Sequence, residues 1–258
     1  LFQAYTRFKH VDRKEKGRML RYYPTQVLKL AGVRCSYEGH VPELLHECGL
    51  TDTPPACLVL SNHVSWLDIF SLDSQLPSRF IAKAEIAKWP IFGLIAQQIG
   101  TLFINRSSKR AILRINDDIR GALCNCEAVT IFAEGTTTFG NELLPIKANF
   151  IAPACEIGAT VQPVILSYKN KGKPTKQAAF SGDVTLFGSL WNVVTMEDAE
   201  VVVHFLEPIT NTKDLTRHEV AKICEESMRA KLQEIWGDEY IANDANAAEA
   251  LAKAIANG

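Results

Sequence analysis

No stretch of eighteen or more apolar residues occurs anywhere in this 258-residue chain, so hydropathy marks no segment that spans a bilayer by itself. Leu1 rather than Met opens it, which leaves room for an upstream signal or membrane-spanning segment. Low-complexity tracts and internal repeats are also missing, which excludes a disordered chain and a solenoid. Cysteine is too scattered for a framework. The seven thiols are an odd number, and Cys124 and Cys126 are the only close pair. With no second pair at ligand spacing, a zinc site and a disulfide scaffold are both excluded, and reduced thiols on the cytoplasmic side are expected. Charge of one sign is not in excess, because the net charge is −1. The global field therefore points to no partner. A Gly-x-Ser-x-Gly nucleophile elbow is absent as well.

What is present fits one large α/β domain. The chain is 47% hydrophobic and 22% charged, enough to bury a sizeable core. Over residues 1–34, nine basic side chains (Arg7, Lys9, Arg13, Lys14, Lys16, Arg18, Arg21, Lys29 and Arg34) face only Asp12 and Glu15. They are interleaved with Leu20, Tyr22, Tyr23, Val27, Leu28 and Leu30, which reads as a basic amphipathic helix suited to an anionic membrane surface. A solvated helix face accounts for the same pattern. Nucleic acid is a poor partner for it, since no stacking platform accompanies the charges.

Short apolar runs then alternate with helical patterns, as in a twisted, largely parallel or mixed sheet flanked by helices. Strands are expected at Val33–Glu38, Cys57–Ser61, Arg79–Lys83, Thr101–Ile104, Val129–Phe132, Thr160–Ser167 and Ala199–Leu206. Helices are expected at Leu67–Gln75, Ile91–Ile99, Lys109–Cys124 and Thr216–Trp236. Ile112, Ile115, Ile119 and Leu123 recur at helical spacing in the third. Thr216 with Glu219 makes a capping box, and Gly237 closes the last helix. Residues 169–176 (KNKGKPTK) read as a charged loop. The expected organisation is a docking helix over residues 1–32, a catalytic domain over 33–237, and a poorly ordered helical tail over 238–258.

The most informative stretch runs Leu58-Val-Leu-Ser-Asn-His-Val-Ser-Trp-Leu-Asp68. An apolar strand ends at Ser61, and polar groups follow at its carboxyl edge, where α/β sheets place their sites. His63 and Asp68 are five residues apart. On one continuous helix they would diverge by about 140°, so they meet only if His63 lies in the turn and Asp68 in the first helical turn. Ser65 is a suitable N-cap for that break. Two readings fit. Asp68 closes a capping box with Ser65 while His63 is an ordinary turn residue, or the pair is a general base. In the second, imidazole takes the proton of an alcohol as its oxygen attacks a carbonyl, and the carboxylate fixes the tautomer.

Asn62-His63-x4-Asp68 resembles the first motif of the glycerolipid acyltransferases, the family that includes 1-acylglycerol-3-phosphate acyltransferases. Further blocks follow in the family's order. Lys83, Pro90 and Gly93 precede Gly100-Thr-Leu-Phe-Ile-Asn-Arg106, which is similar to its Gly-x-x-Phe-Ile-x-Arg block. Phe132-Ala-Glu-Gly-Thr-Thr137 resembles its Phe-Pro-Glu-Gly-Thr block, and Val161-Gln-Pro-Val164 its last motif. The resemblance implies a glycerol-3-phosphate acyltransferase-like fold, with His63 and Asp68 catalytic and no cofactor or metal. It implies that Asn62, Lys83, Arg106, Glu134, Gly135, Thr136 and Lys147 hold a lysophospholipid acceptor, and that acyl-CoA or acyl carrier protein is the donor. Location on the cytoplasmic face of the inner membrane follows. The residue types agree: Arg106 offers a planar fork for phosphate oxygens, and Gly135 permits close backbone approach. Glu134 suits an organiser of hydrogen bonds, since a carboxylate repels phosphate.

Of two departures, the first costs loop rigidity but no chemistry and the second bears on substrate. Ala133 replaces the usual proline before the glutamate, and Thr137 replaces an arginine frequent in phosphatidate-forming members. The second weakens the case for a bare phosphate monoester and resembles branches that acylate other lysolipids, including lyso-ornithine lipid. Lys147 either restores a positive charge nearby or is a solvated loop lysine. Rival readings are a non-catalytic lipid-binding protein of this fold and a hydrolase using Cys124, Cys126 or Cys155. Trp66, Trp89, Ile91, Phe92 and Leu94 are candidates for an acyl groove, or for core packing.

Overall fold

The computed structural model describes residues 13–39, 57–88, 100–104 and 109–242, together with Gly93, Ala96 and Gln97. Helix α1 (Arg13–Leu30) leads into edge strand β1 (Arg34–Gly39). Then come β2 (Cys57–Ser61), α2 (Leu67–Gln75), β3 (Arg79–Lys83), β4 (Leu102–Ile104), α3 (Lys109–Cys124) and β5 (Ala128–Phe132). The second half holds α4 (Ala152–Ile157), β6 (Thr160–Asn170), β7 (Lys173–Pro174), α5 (Leu186–Val194), β8 (Ala199–Phe205) and α6 (Arg217–Trp236). The expected mixed sheet with flanking helices is therefore present. The expected helix Ile91–Ile99 and the tail beyond residue 242 fall largely or wholly outside the described residues.

The strands form one sheet in the order β1-β8-β6-β2-β5-β3-β4, with β7 paired to β6. Strands β2 to β6 run parallel, while β8 is antiparallel to β6 and carries β1 parallel to itself. β2 sits between β5 and β6, so it is buried on both faces and reads as a continuous apolar run. Leu58 and Leu60 point into a layer with Ile115, Ile119 and Leu123 of α3 and Val220, Cys224 and Met228 of α6. Cys57 and Val59 point into the opposite layer, with Leu28 of α1, Leu67 and Leu72 of α2, and Val193 at the end of α5. Leu28 is 2% exposed, so α1 commits part of its apolar face to the body of the protein.

Local features differ from the sequence reading, among them helix α4, which had no expected counterpart. The stretch 169–176 is a hairpin and not a plain loop: β6 continues to Asn170, and Lys171 and Gly172 both take positive φ before β7 returns. That is the backbone twist a two-residue hairpin needs. Helix α5 had no expected counterpart. It is capped by Thr185, whose hydroxyl accepts from Gly188 N.

Candidate active site

The chain leaves β2 at Ser61 and enters α2 at Leu67, and the intervening turn is held by one carboxylate. Asp68 Oδ2 lies 2.7 Å from His63 Nδ1 and accepts from Val64 N at 2.7 Å and Ser65 N at 2.9 Å. Its other oxygen accepts from the Tyr168 hydroxyl at 2.6 Å. Three donors and the His63 ring nitrogen thus converge on a side chain that is fully buried, so its oxygens serve as acceptors. An acceptor-only Asp68 requires the Nδ1 proton on the ring side, so in neutral His63 the lone pair sits on Nε2. The ring is stacked on Phe132 with centroids 3.9 Å apart and 10° between planes, and its side chain is 21% exposed. It is fixed yet reachable.

Ser65 does not cap α2 with its side chain. Its hydroxyl is buried without a hydrogen bond among the described residues, and Trp66 occupies the N-cap position with no side-chain cap. The reciprocal half of the expected box is present, because Asp68 accepts from the Ser65 amide. The two sequence readings of Asp68 are therefore one arrangement: the carboxylate that organises the helix start also reaches the imidazole.

Around this pair, each neighbouring strand end adds one support. Asn62 is buried, and its amide mimics a strand partner for Leu166 on β6: Oδ1 accepts from Leu166 N at 2.8 Å and Nδ2 donates to Leu166 O at 3.1 Å. Glu134, just past β5, accepts from His63 N at 3.0 Å and from Leu144 N at 2.9 Å. It ties the histidine backbone to the loop beyond. Burial pushes its carboxyl up to about 8, against the two amides that lower it. Thr138 N donates to His63 O at 2.8 Å, and Phe180 N donates to Val64 O at 2.7 Å. The turn is tied down on every side.

The remaining expected residues separate into groups. Gly135 follows with φ +78, and exposed Thr136 stands beside it. Lys147 is exposed, and its backbone N donates to Ala133 O at 3.3 Å, which keeps it next to the same loop. Lys83 is exposed at the end of β3, on the same edge of the sheet but with β5 between it and β2. Arg106, Trp89, Ile91, Phe92 and Leu94 lie outside the described residues. Trp66 packs against the α1–α2 layer and meets Phe70 edge-on at 6.0 Å. Tyr168 was not anticipated, because the charged run starting at Lys169 ended the expected strand at Ser167.

A protein-family model described as Acyltransferase matches residues 42–167, which include every expected site residue from Asn62 to Lys147. The 1-acyl-sn-glycerol-3-phosphate acyltransferase of Neisseria gonorrhoeae is 40% identical over 178 residues, covering 69% of this chain and 69% of that protein. This chain belongs to the glycerolipid acyltransferase family. A lyso-ornithine lipid O-acyltransferase of Pseudomonas aeruginosa is 39% identical over 175 residues, covering 68% of this acyltransferase and 67% of the relative. The acyltransferase also shares the fold of the 1-acyl-sn-glycerophosphate acyltransferase of Thermotoga maritima. That crystal structure superposes with TM-score 0.65 at 19% identity, covering 91% of this chain and 87% of the other.

Proposed function

We propose that this acyltransferase moves a fatty acyl group from acyl-CoA or acyl carrier protein to the free hydroxyl of 1-acylglycerol-3-phosphate or a related lysolipid, without a covalent enzyme intermediate. The carrying observation is the 2.7 Å contact between His63 Nδ1 and Asp68 Oδ2 beside a partly open ring edge. His63 Nε2 takes the acceptor's hydroxyl proton as its oxygen attacks the thioester carbonyl. The imidazolium, paired with Asp68, then returns that proton to the departing thiolate, leaving an ester and a free thiol. Lys83, Arg106, Thr136 and Lys147 supply positive charge and donors for the acceptor headgroup, and the Gly135 backbone allows it to approach. The basic helix α1 brings the enzyme to the cytoplasmic face of the inner membrane.

A second reading of the acceptor, lyso-ornithine lipid, rests on Thr137. This residue stands where phosphatidate-forming members often carry arginine, and its hydroxyl donates to Phe180 O at 2.5 Å, so it adds no charge to the headgroup site. The experiment that decides is incubation of purified protein with labelled acyl-CoA and a panel of lysolipids. Formation of labelled diacyl product from lysophosphatidic acid supports the first reading, and from lyso-ornithine lipid the second. Labelled protein in place of labelled lipid would contradict direct transfer.

A further inference from the structure

Helix α5 carries an apolar stripe on its outer side. Phe187 is 84% exposed, Trp191 70%, Val194 51% and Leu190 41%. These four occupy positions i, i+3, i+4 and i+7, which places them on one face. The opposite face is spent on the core through buried Ser189 and Val193. The run from Val184 to Met196 contains no charged residue. Soluble surfaces scatter single large apolar side chains, but a contiguous row of them marks a binding face.

The chemistry of the face and its surroundings identify the occupant. Aromatic residues with an indole among them favour the boundary between lipid headgroups and acyl chains. Helix α1 packs into the same layer of the protein as α5, and its Arg18 and Lys29 are exposed, while Arg34 just beyond it pairs with Asp198 at 3.0 Å. An apolar stripe with cationic side chains on the same side of the sheet complements an anionic bilayer, which offers hydrocarbon below and phosphate above. The stripe is also close to the reacting groups. Phe180 N is bonded to Val64 O, one residue from His63, and only five residues separate Phe180 from the first residue of α5, a tether of about 20 Å at most.

We infer that α5 is an insertion helix: Phe187, Leu190, Trp191 and Val194 dip into the lipid surface and hold the active-site edge against it, so that the acceptor passes from the bilayer without entering water. The inference rests on the acceptor being a lipid, and it assigns to α5 an apolar role distinct from the electrostatic one of α1. The two roles respond differently to salt, because high ionic strength screens the basic residues and leaves apolar insertion in place.

The test is flotation of the purified protein with vesicles of phosphatidylethanolamine and phosphatidylglycerol at low and high salt, comparing wild type with Phe187→Ser/Trp191→Ser. The double variant should bind about tenfold more weakly or worse, and most visibly at high salt. Vesicles with brominated acyl chains should quench wild-type emission, and Trp191→Phe should lose most of that quenching while still floating. With monodisperse short-chain lysolipid the double variant should keep wild-type turnover. Unchanged flotation of the double variant overturns the inference. So does a wild-type dimer that the double variant dissociates while vesicle binding is untouched, since α5 then meets a second copy. Failure of the acceptor reading shows differently: no lysolipid is acylated in any format, while flotation still depends on α5.

Discussion

His63 and His204 each hold a carboxylate at Nδ1, yet their surroundings separate them. His204 sits on β8 with Nε2 2.8 Å from Ser167 Oγ and Nδ1 3.0 Å from Glu38. Both His204 and Ser167 are buried, and burial lowers the His204 pKa, so this cluster ties three strands together and gives no ligand access. His63 has the same kind of carboxylate partner but keeps one ring edge open. What sets it apart further is Tyr168, which donates to the far oxygen of Asp68 and fixes the carboxylate that fixes the ring. On the proposed mechanism Tyr168 acts through Asp68 and is a positioning residue. Tyr168→Phe should lower kcat about tenfold while KM for the lysolipid stays within about twofold, because the ring loses alignment and the acceptor site is untouched. Steady-state kinetics on the two proteins decides it, and a rise in KM alone would place Tyr168 in substrate binding instead.

At the scale of elements, the site is where three strand ends and two loops meet, and the packing there is tight. Gly140 has φ +83, and a Cβ placed on it would stand 3.0 Å from Val64 Cγ2 in the turn that follows His63. Gly140→Ala should therefore cost about 1–3 kcal/mol of stability, read as a lower denaturation midpoint; an unchanged midpoint would show that the loop relaxes freely. Much of this level was legible in the sequence. Strands β2 and β3 and helices α2 and α3 match their expected bounds: β2 is an unbroken apolar run closed by polar groups, and α3 carries Ile112, Ile115, Ile119 and Leu123 at helical spacing. The capping box of Thr216 and Glu219 is present at the start of α6. Asn62, His63, Asp68 and Glu134 come together as their motif order implies. The rest depended on contacts with no local signature. Asn62 satisfying the Leu166 backbone and Tyr168 reaching Asp68 join residues about a hundred positions apart. Helix α5 was missed because it is only nine residues long with Gly188 inside it, and its apolar stripe faces outward.

The whole molecule carries the consequence of burying charge beside its site. Glu134 is 3% exposed, and its carboxyl is raised from the usual 4.5 to about 8 by burial. A folded-state pKa above the unfolded one means the native protein holds the extra proton between these values. Stability from this group is thus complete below about pH 4.5 and is lost as pH rises through about 8. Glu134→Gln should remove that slope, so the difference in melting temperature between variant and wild type should shrink or reverse as pH rises from about 5 to about 8. Parallel curves would show that Glu134 is ionised throughout. The sheet order and the stacking on Phe132 seat the His63 imidazole at the carboxyl end of β2. The most direct measurement is acyl transfer to a lysolipid by a folded His63→Ala protein. The rate should fall by about 10³ or more with an unchanged melting temperature; near wild-type turnover would contradict general-base catalysis by His63.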